Sequence, residues 1–349
     1  MEKRKPKIAW SHWDRILMGV IGLIVALSGV VALWFHQLDI NPQVSVPTPT
    51  LPKPNAYDYY VAAGDTLVDR DKISFVFAGL PIPPPPAPPP RNLGSSSGPG
   101  AVNPKGYPGS SPSHYMPDNY VYSVAQKAFF VQKNAQALKL LREGLNYPYL
   151  SPPMRTFDSR TLPYRETREV IRLVSLKAQV EAGRGEWSAA INSNLDAIQV
   201  GQELAHGSPI LGAEFGTSCQ TIGSRYTWNC IDHLTAAEAQ AATRRLARIQ
   251  SRHVPWAETL QEDKWLMQAS LLEVMRKPNW RGYIRDKWIN YFGGEEWTWT
   301  ERTKWTLTSK RAVMSNYTDS MNQHIANARR PYAAHPPDPP EASDPFSQY

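Results

Sequence analysis

Residues 16–35 read ILMGVIGLIVALSGVVALWF, an apolar run without a charged residue that decides how the rest of the chain is organised. As an α-helix the run would be about 30 Å long, which is the hydrocarbon thickness of a bilayer. Lysine and arginine are frequent before the run, and neither follows it until Lys53. By the positive-inside rule we expect the N-terminus in the cytoplasm and the main domain outside it, as in a single-pass protein of a bacterial inner membrane.

A cleaved signal peptide is the alternative interpretation of this run. The apolar core of a signal peptide is usually shorter, about 7–15 residues, and is followed by a small-x-small cleavage site. No convincing site of that kind follows Phe35. Trp10, Trp13 and Trp34 also lie at the two ends of the run, where aromatic residues of membrane helices favour the interface. We therefore expect a permanent anchor that has the lipid bilayer as a partner.

Small residues recur at three- and four-residue steps along one face of the predicted span: Gly19, Gly22, Ala26, Gly29 and Ala32. Such a face lets two helix backbones approach closely, so these positions are candidates for contact with another span. Glycine and alanine are also common in membrane helices without that role. The sequence leaves both interpretations open and does not define an oligomeric state.

Composition divides the remaining chain into segments of different character. The proline-rich spacer should be stiff and hold the next part away from the membrane, while the Pro/Gly/Ser-rich insertion and the tail cannot form a packed core. The predicted segments are a basic N-terminus (1–15), a transmembrane helix (16–35), a proline-rich spacer (36–54), a short helical segment on the main domain (55–80), a disordered insertion (81–117), a helical domain (118–330) and a disordered tail (331–349).

Apolar residues at helical spacing run through residues 118–330. The first stripe should begin after a cap at Asp118 and continue unbroken to Leu145. Asn55 is a similar cap for the earlier segment. Only Ile73–Phe77 has the clustered apolar residues of a strand. The predicted fold class is therefore all-α. Later helices are expected at about 163–182, 187–204, 209–233, 235–252, 255–278 and 306–328.

The segment LVSLKAQVEAGRGEWSAAINSNLDAIQVG (173–201) resembles a tetratricopeptide-type helical hairpin. A small residue, Ala178, precedes a glycine-containing turn, and Ala189 and Ala190 line the returning helix. KNAQALKLLREGL (133–145) similarly resembles the second helix of such a hairpin. The resemblance covers about 40–70 residues and no regular repeat of about 34 residues extends it. It implies a solenoid-like arrangement of antiparallel helix pairs with a groove for partners, and it implies no catalytic residues.

Charge and cysteine content restrict the possible functions of this chain of 349 residues. The formal net charge of +7 lies partly in the N-terminus and is otherwise dispersed, which makes nucleic acid an unlikely partner. The two cysteines, Cys219 and Cys230, follow helical spacing. On one helix they would be about 16 Å apart, whereas a disulfide needs Cα atoms within about 7 Å. We expect two buried free thiols, and a disulfide would require a helix break near Gly223.

The sequence contains no recognisable catalytic or metal-binding motif. The histidines lack metal-ligand spacing, and no GxSxG, P-loop or GxGxxG motif occurs, so neither a metal nor a cofactor is predicted. Cys230 and His233 could share a helical face as in a cysteine protease, but the favoured interpretation is a buried cysteine beside a histidine near a helix cap. Glu258, Glu262 and Asp263 open a predicted helix, where acids complement the helix dipole and should lie on an exposed face.

An aromatic stretch from Trp280 to Trp305, interleaved with basic residues, is the most distinctive part of the soluble sequence. Its aromatic side chains could fill the seam between two helices, bind a partner or the membrane interface, or stack on sugars or bases. The candidate partner-binding residues are Trp280, Trp288, Trp297 and Trp299, together with Gly19, Gly22, Ala26 and Gly29 of the span.

Three functions are compatible with these observations. The first is a membrane-anchored, non-catalytic scaffold or protein-binding module. The second is an envelope enzyme that acts on a polysaccharide, with Glu258 or Glu262 as proton donor and the aromatic stretch as sugar platform; it would need two carboxylates facing across a cleft. The third is a subunit of a larger membrane complex. The sequence favours the first.

Overall fold

The computed structural model describes residues 12–80, 122–156, 164–285 and 304–330. No strand occurs in these ranges, so the predicted all-α fold class is confirmed. The main helices are α1 (His12–Leu38), α2 (Ala56–Asp65), α3 (Arg70–Ala78), α4 (Val124–Lys133), α5 (Ala135–Gly144), α6 (Tyr164–Gly183), α7 (Trp187–Glu203), α8 (Ile210–Ser224), α9 (Trp228–Ile231), α10 (Ala236–Gln250), α11 (Trp256–Met275) and α12 (Lys310–Ala328).

Helix α1 contains the apolar run. Within the described residues, the stretch Gly19–Leu38 is the one helical segment long and apolar enough to cross a membrane. Its apolar window is not buried in the rest of the protein. Branched aliphatic side chains such as Leu23, Val25 and Leu33 are exposed. This exposure is what a lipid-facing helix requires, because the bilayer replaces the protein core as the apolar environment.

Helix α6 forms the centre of the larger helical unit. It packs against α2 to α5 on one side and against α7 and α8 on the other. Apolar side chains are therefore needed around most of its circumference, which explains why Ile171, Leu173 and Leu176 are all buried. A turn over residues 184–186 joins α6 to α7, one residue later than the predicted start at Gly183, and Gly185 supplies a left-handed backbone conformation there (φ 79°).

Helices α7 and α8 cross at two glycines. A Cβ atom built on Gly201 would lie 2.6 Å from the carbonyl oxygen of Gly216, and one built on Gly216 would lie 2.4 Å from that of Gly201. Both distances are shorter than van der Waals contact, so each backbone occupies the space that a side chain of the other would need. The close approach of α7 to α8 depends on both glycines.

Helices α11 and α12 form a second packed unit. Its core contains Trp280 and Trp305, whose rings meet edge to face with centroids 5.7 Å apart. Aliphatic and methionine side chains from both helices complete this core: Leu271, Val274, Met275, Val313 and Met314.

Residues directly after α1 pack on this second unit. Asp39 accepts hydrogen bonds from Trp280 Nε1 (3.2 Å) and from Arg281 (3.3 Å), and Asn41 Oδ1 accepts one from Lys310 Nζ (3.1 Å). Val44 packs against the same core. The expectation that residues 36–54 hold the domain away from the membrane therefore does not describe their first part, which lies along the domain.

Two local predictions were wrong. Ile73–Phe77, predicted to resemble a strand, belongs to α3, which buries Ile73, Val76 and Phe77 at three- and four-residue spacing. The long helix expected from Asp118 to Leu145 is divided at Asn134. The Asn134 side chain donates to the carbonyl of Phe130 and accepts from the amide of Val68, and these bonds fix the break between α4 and α5.

Several helix starts confirm the predicted caps, while others lie outside the described residues. Asn55 accepts from the amide of Tyr57 at the start of α2, and Thr235 and Glu238 form the capping box of α10. The cap of α4 is Ser123, in a capping box with Gln126. Asp118, the insertion (81–117) and the tail (331–349) lie outside the described residues.

Both cysteines are buried and free, as predicted. They do not share one helix, because the expected helix over 209–233 ends at Ser224 and resumes as the short α9. Cys219 lies on α8 and Cys230 on α9. The break at residues 225–227 redirects the chain without bringing the two thiols into a disulfide.

A buried acid lies at the end of α7. Glu203 is 4% exposed and accepts hydrogen bonds from the Tyr60 hydroxyl and from Gln199 Nε2. Burial raises the pKa of the Glu203 carboxyl above its ordinary value of 4.5, because desolvation penalises the charged form.

This raised pKa predicts a pH-dependent effect of Glu203→Gln. The folded protein holds the Glu203 proton more tightly than the unfolded chain, so this stabilising contribution is present below pH 4.5 and is lost as the pH rises through the folded-state pKa. We expect Glu203→Gln to match the wild type near pH 4 and to become progressively more stable than it as the pH rises. Urea unfolding at several pH values measures the difference. The exposed Glu143→Gln is the control, and a constant difference across this range would contradict the prediction.

Candidate functional site

A cavity of about 290 Å³ lies between α4, α6, α7 and α9. Its walls come from four parts of the chain that are distant in sequence, so only the folded helices assemble it. The lining residues are Lys127 of α4, Ala178, Gln179, Ala182 and Gly183 of α6, Trp187 and Asn194 of α7, Tyr226 before α9, and Asn229 and Cys230 of α9.

Small residues on α6 leave the space open. Ala178, Ala182 and Gly183 line the cavity at the C-terminal end of that helix. Val124, the first residue of α4, closes against Gly183, where a built Cβ atom would lie 2.6 Å from Val124 Cγ2. Trp187 forms another wall and is held by parallel stacking on His233, with ring centroids 3.9 Å apart. The cavity is thus bounded by side chains that are themselves fixed by packing.

Asn194 is the most informative residue of this cavity. It is fully buried, and neither its amide nitrogen nor its carbonyl oxygen has a hydrogen-bond partner within the protein. A buried polar group without a partner costs about 1–3 kcal/mol of stability. An asparagine presents one donor group and one acceptor whichever way its amide is turned. Asn194, a lining residue of the cavity, therefore has a donor and an acceptor that the fold itself does not use.

Gln179 and Lys127 add further donors. Gln179 Oε1 accepts a hydrogen bond from Lys127 Nζ (2.7 Å), which leaves Gln179 Nε2 as a buried donor without a partner. Burial lowers the pKa of the Lys127 ammonium group, because the charged form is desolvated. None of the described residues that line the cavity is a carboxylate, and no described acid forms an ion pair with Lys127. The cavity therefore has an amino group, that of Lys127, which no described carboxylate pairs with.

The cavity is better suited to binding than to covalent catalysis. Burial raises the pKa of the Cys230 thiol, so the thiolate needed for nucleophilic attack is disfavoured. The thiol contacts the carbonyl of Tyr226 (3.7 Å), while His233 stacks on Trp187. Cys230 and His233, considered as a catalytic pair from the sequence, therefore each contact another residue: Cys230 contacts Tyr226, and His233 contacts Trp187.

Exposed apolar side chains neighbour the lining residues of the cavity along the chain. Trp228 precedes the lining residue Asn229 and is 76% exposed. Ile231 follows the lining residue Cys230 and is also exposed, as is Val124, which contacts Gly183. Tryptophan is among the residues enriched at binding hot spots, where an aromatic anchor is surrounded by less important contacts.

The sequence-predicted residues of the span lie far from this cavity in the chain and form a separate open surface. Atoms built as Cβ on Gly19, Gly22 and Gly29 meet nothing within 4 Å, and Ala26 on the same helix is exposed. No described residue covers this face.

The aromatic candidates are divided between the core and residues outside the described ranges. Trp280 is 2% exposed, donates to Asp39 and packs on Trp305, so its side chain fills a helix seam. That placement corresponds to core packing, the first of its three predicted uses, and it leaves Trp280 little surface for a partner. Trp288, Trp297 and Trp299 lie outside the described residues.

The expected exposed acidic face on α11 was only partly right. Glu258 is exposed, but Glu262 is partly buried beside Arg155 (3.3 Å), and burial raises the pKa of the Glu262 carboxyl. Asp263 is also partly buried, and its pKa is raised for the same reason. Arg155, from the segment that precedes α6, lies against Glu262, and the backbone of Ile210 at the start of α8 is bonded to Asp263, so neighbouring parts of the chain cover two of the three acids. Within the described residues, no group of three or more His, Cys, Asp or Glu side chains could hold a metal ion.

Lys127, Gln179 and Asn194 were not among the sequence-predicted site residues. One signal was present, since Asn194 lies between Ala190 and Ala197 on the buried stripe of α7, where an apolar residue is expected. Comparison of the chain with protein-family models, curated proteins and solved structures found no match.

Proposed function

We propose that this chain is a membrane-anchored, non-catalytic protein-binding module that captures its partner at the cavity between α4, α6, α7 and α9. The observation that carries the proposal is the fully buried Asn194 side chain, which has no hydrogen-bond partner in the protein and belongs to the lining of the cavity. The exposed Trp228 directly precedes another lining residue, Asn229, in the chain. A group from the partner would satisfy the amide, and the exposed apolar rim would supply contact area.

The anchor and the helix pairing support this proposal. Helix α1 is apolar enough to span a bilayer, and the excess of basic residues before it favours a cytoplasmic N-terminus with the helical domain outside. The α6–α7 hairpin, with its glycine turn, is compatible with the tetratricopeptide-like pairing suggested by its sequence. In that arrangement the helices form a rigid surface that presents the cavity, and no cofactor is needed.

Site-specific photo-crosslinking tests the proposal. A photoreactive amino acid replaces Trp228 in the full chain, which is expressed in its native membranes and irradiated. Leu211 on α8, which is 55% exposed, is the matched control position. We expect a discrete protein adduct from position 228, none from position 211, and a weaker adduct when Gln179→Leu is added. Adducts of equal yield from both positions, or none from position 228, would contradict a protein-binding role for this surface.

A subunit of a membrane complex is the second candidate function, favoured by the uncovered glycine face of α1. Bulky side chains at Gly22 and Gly29 would prevent close helix approach without touching the helical domain. Loss of a co-purifying membrane protein from Gly22→Ile/Gly29→Ile, with the adduct at position 228 retained, would support this second function.

A further inference from the structure

We infer that the cavity recognises a carboxylate, and that this carboxylate is the C-terminus of a partner protein. The inference rests on the proposed function, because it names the group that the protein-binding module would accept.

The charge of the cavity selects an anion. Lys127 lines it without a carboxylate among the described lining residues, and burial lowers the pKa of Lys127, so these surroundings disfavour its charged form. A bound carboxylate would restore the charged form by supplying the missing opposite charge. A cationic group would meet repulsion from Lys127 and could not accept from it.

The hydrogen-bonding groups distinguish a chain terminus from other anions. Gln179 Nε2 and the Asn194 amide nitrogen are buried donors without a partner, and the two oxygens of a carboxylate can accept from both. The Asn194 carbonyl oxygen needs a donor, which the peptide N–H of a terminal residue supplies at close range. A phosphate monoester is mostly a dianion at neutral pH and then has acceptors but no donor. It would therefore leave the Asn194 carbonyl oxygen unsatisfied.

The size of the cavity fits the end of a chain. At about 290 Å³ it lies at the lower limit of small-molecule sites, which span about 300–1,000 Å³. Ala178, Ala182 and the ring of Trp187 give it apolar walls that suit one side chain. The exposed Trp228 and Ile231 are then available for the residues that precede the terminus.

Retention of peptides by the full chain in lipid nanodiscs tests this inference. The probes are a mixed-sequence pool of N-acetylated hexapeptides with a free C-terminal carboxylate and the same pool with an amidated C-terminus. We expect the free-acid pool to be retained about tenfold better. Lys127→Met and Gln179→Leu should each remove this preference, while Lys139→Met, at an exposed lysine of α5, should keep it. Thermal unfolding shows which variants are folded, and either cavity variant alone is sufficient for the comparison.

Three outcomes would overturn the inference. Equal retention of the two pools, or retention of neither, would exclude carboxylate recognition. If N-acetylglycine at the same concentration displaced the peptides completely, the carboxylate would come from a free small molecule and not from a protein. The crosslink at position 228 is independent of these results, so a protein adduct with no carboxylate preference would refute this inference and leave the proposed function standing.

Discussion

Alanine at Gly216 is expected to destabilise the protein by about 3 kcal/mol, the upper part of the range for overpacked sites. The added Cβ atom would lie 2.4 Å from the carbonyl oxygen of Gly201, so α7 and α8 would have to separate. Alanine favours a helix over glycine by about 1 kcal/mol, which offsets only part of this cost. The obstacle is backbone, which cannot rotate away as a side chain would.

Chemical unfolding of the full chain in detergent, followed by circular dichroism, measures this effect. Gly282→Ala is the matched control, because its Cβ atom would meet the flexible end of the Asn279 side chain at 2.8 Å. We expect the control to change stability much less. Equal stability of Gly216→Ala and the wild type would mean that a Cβ atom at this position has more room than the 2.4 Å to the Gly201 carbonyl oxygen.

Asn194→Leu is expected to stabilise the empty protein by about 1–3 kcal/mol and to abolish binding. Leucine has a similar shape but no polar atoms, so the substitution removes the cost of burying an amide without a partner. The same change removes the donor and the acceptor that the partner would use. Stability and binding should therefore move in opposite directions at this position.

Asn134→Leu provides a matched control with the opposite sign. Asn134 is also buried, but its side chain donates to Phe130 and accepts from the amide of Val68. Its replacement leaves the amide of Val68 without a partner, while the Phe130 carbonyl keeps the hydrogen bond from the backbone N–H of residue 134 (3.2 Å), and the loss at Val68 should destabilise the protein. Unfolding midpoints of both variants, together with peptide retention by Asn194→Leu, test the pair. A loss of stability in both variants would show that the Asn194 amide is satisfied in the folded protein.

The sequence predicted helix boundaries well where the residues of one helix and its adjoining turn were sufficient to define them. The start of α7 at Trp187 was predicted to the residue and the end of α6 to within one residue, because a glycine-containing turn separates two long apolar stripes. Ile73–Phe77 is too short for its periodicity to distinguish a strand from a helix, and packing on α6 decides the outcome. The break at Asn134 depends on a hydrogen bond from Val68, which is distant in sequence.

The cavity could not be predicted in the same way, because it exists only between helices. Lys127 and Asn194 are separated along the chain and meet through the placement of α4 on α6 and of α7 beside it. The break between α8 and α9 at residues 225–227 interrupts an apolar stripe whose spacing predicts one continuous helix. Residues of α9 after this break line the cavity. An asparagine on a buried helical stripe can therefore be recognised from the sequence. Whether it lines a cavity is decided by the placement of the neighbouring helices.

The hydrogen bonds at Asp39 and Asn41 would determine how the domain moves on a bilayer that α1 spans. A flexible stalk would allow the domain to tumble, and the cavity would sample all directions. Because Asp39 is bonded to Trp280 and Arg281 immediately after α1, the domain and its anchor should instead turn together about the membrane normal. The cavity would then keep a fixed height and tilt above the lipid surface. Encounter with a membrane-bound partner would become a two-dimensional search, governed by lateral diffusion and by rotation of the anchor.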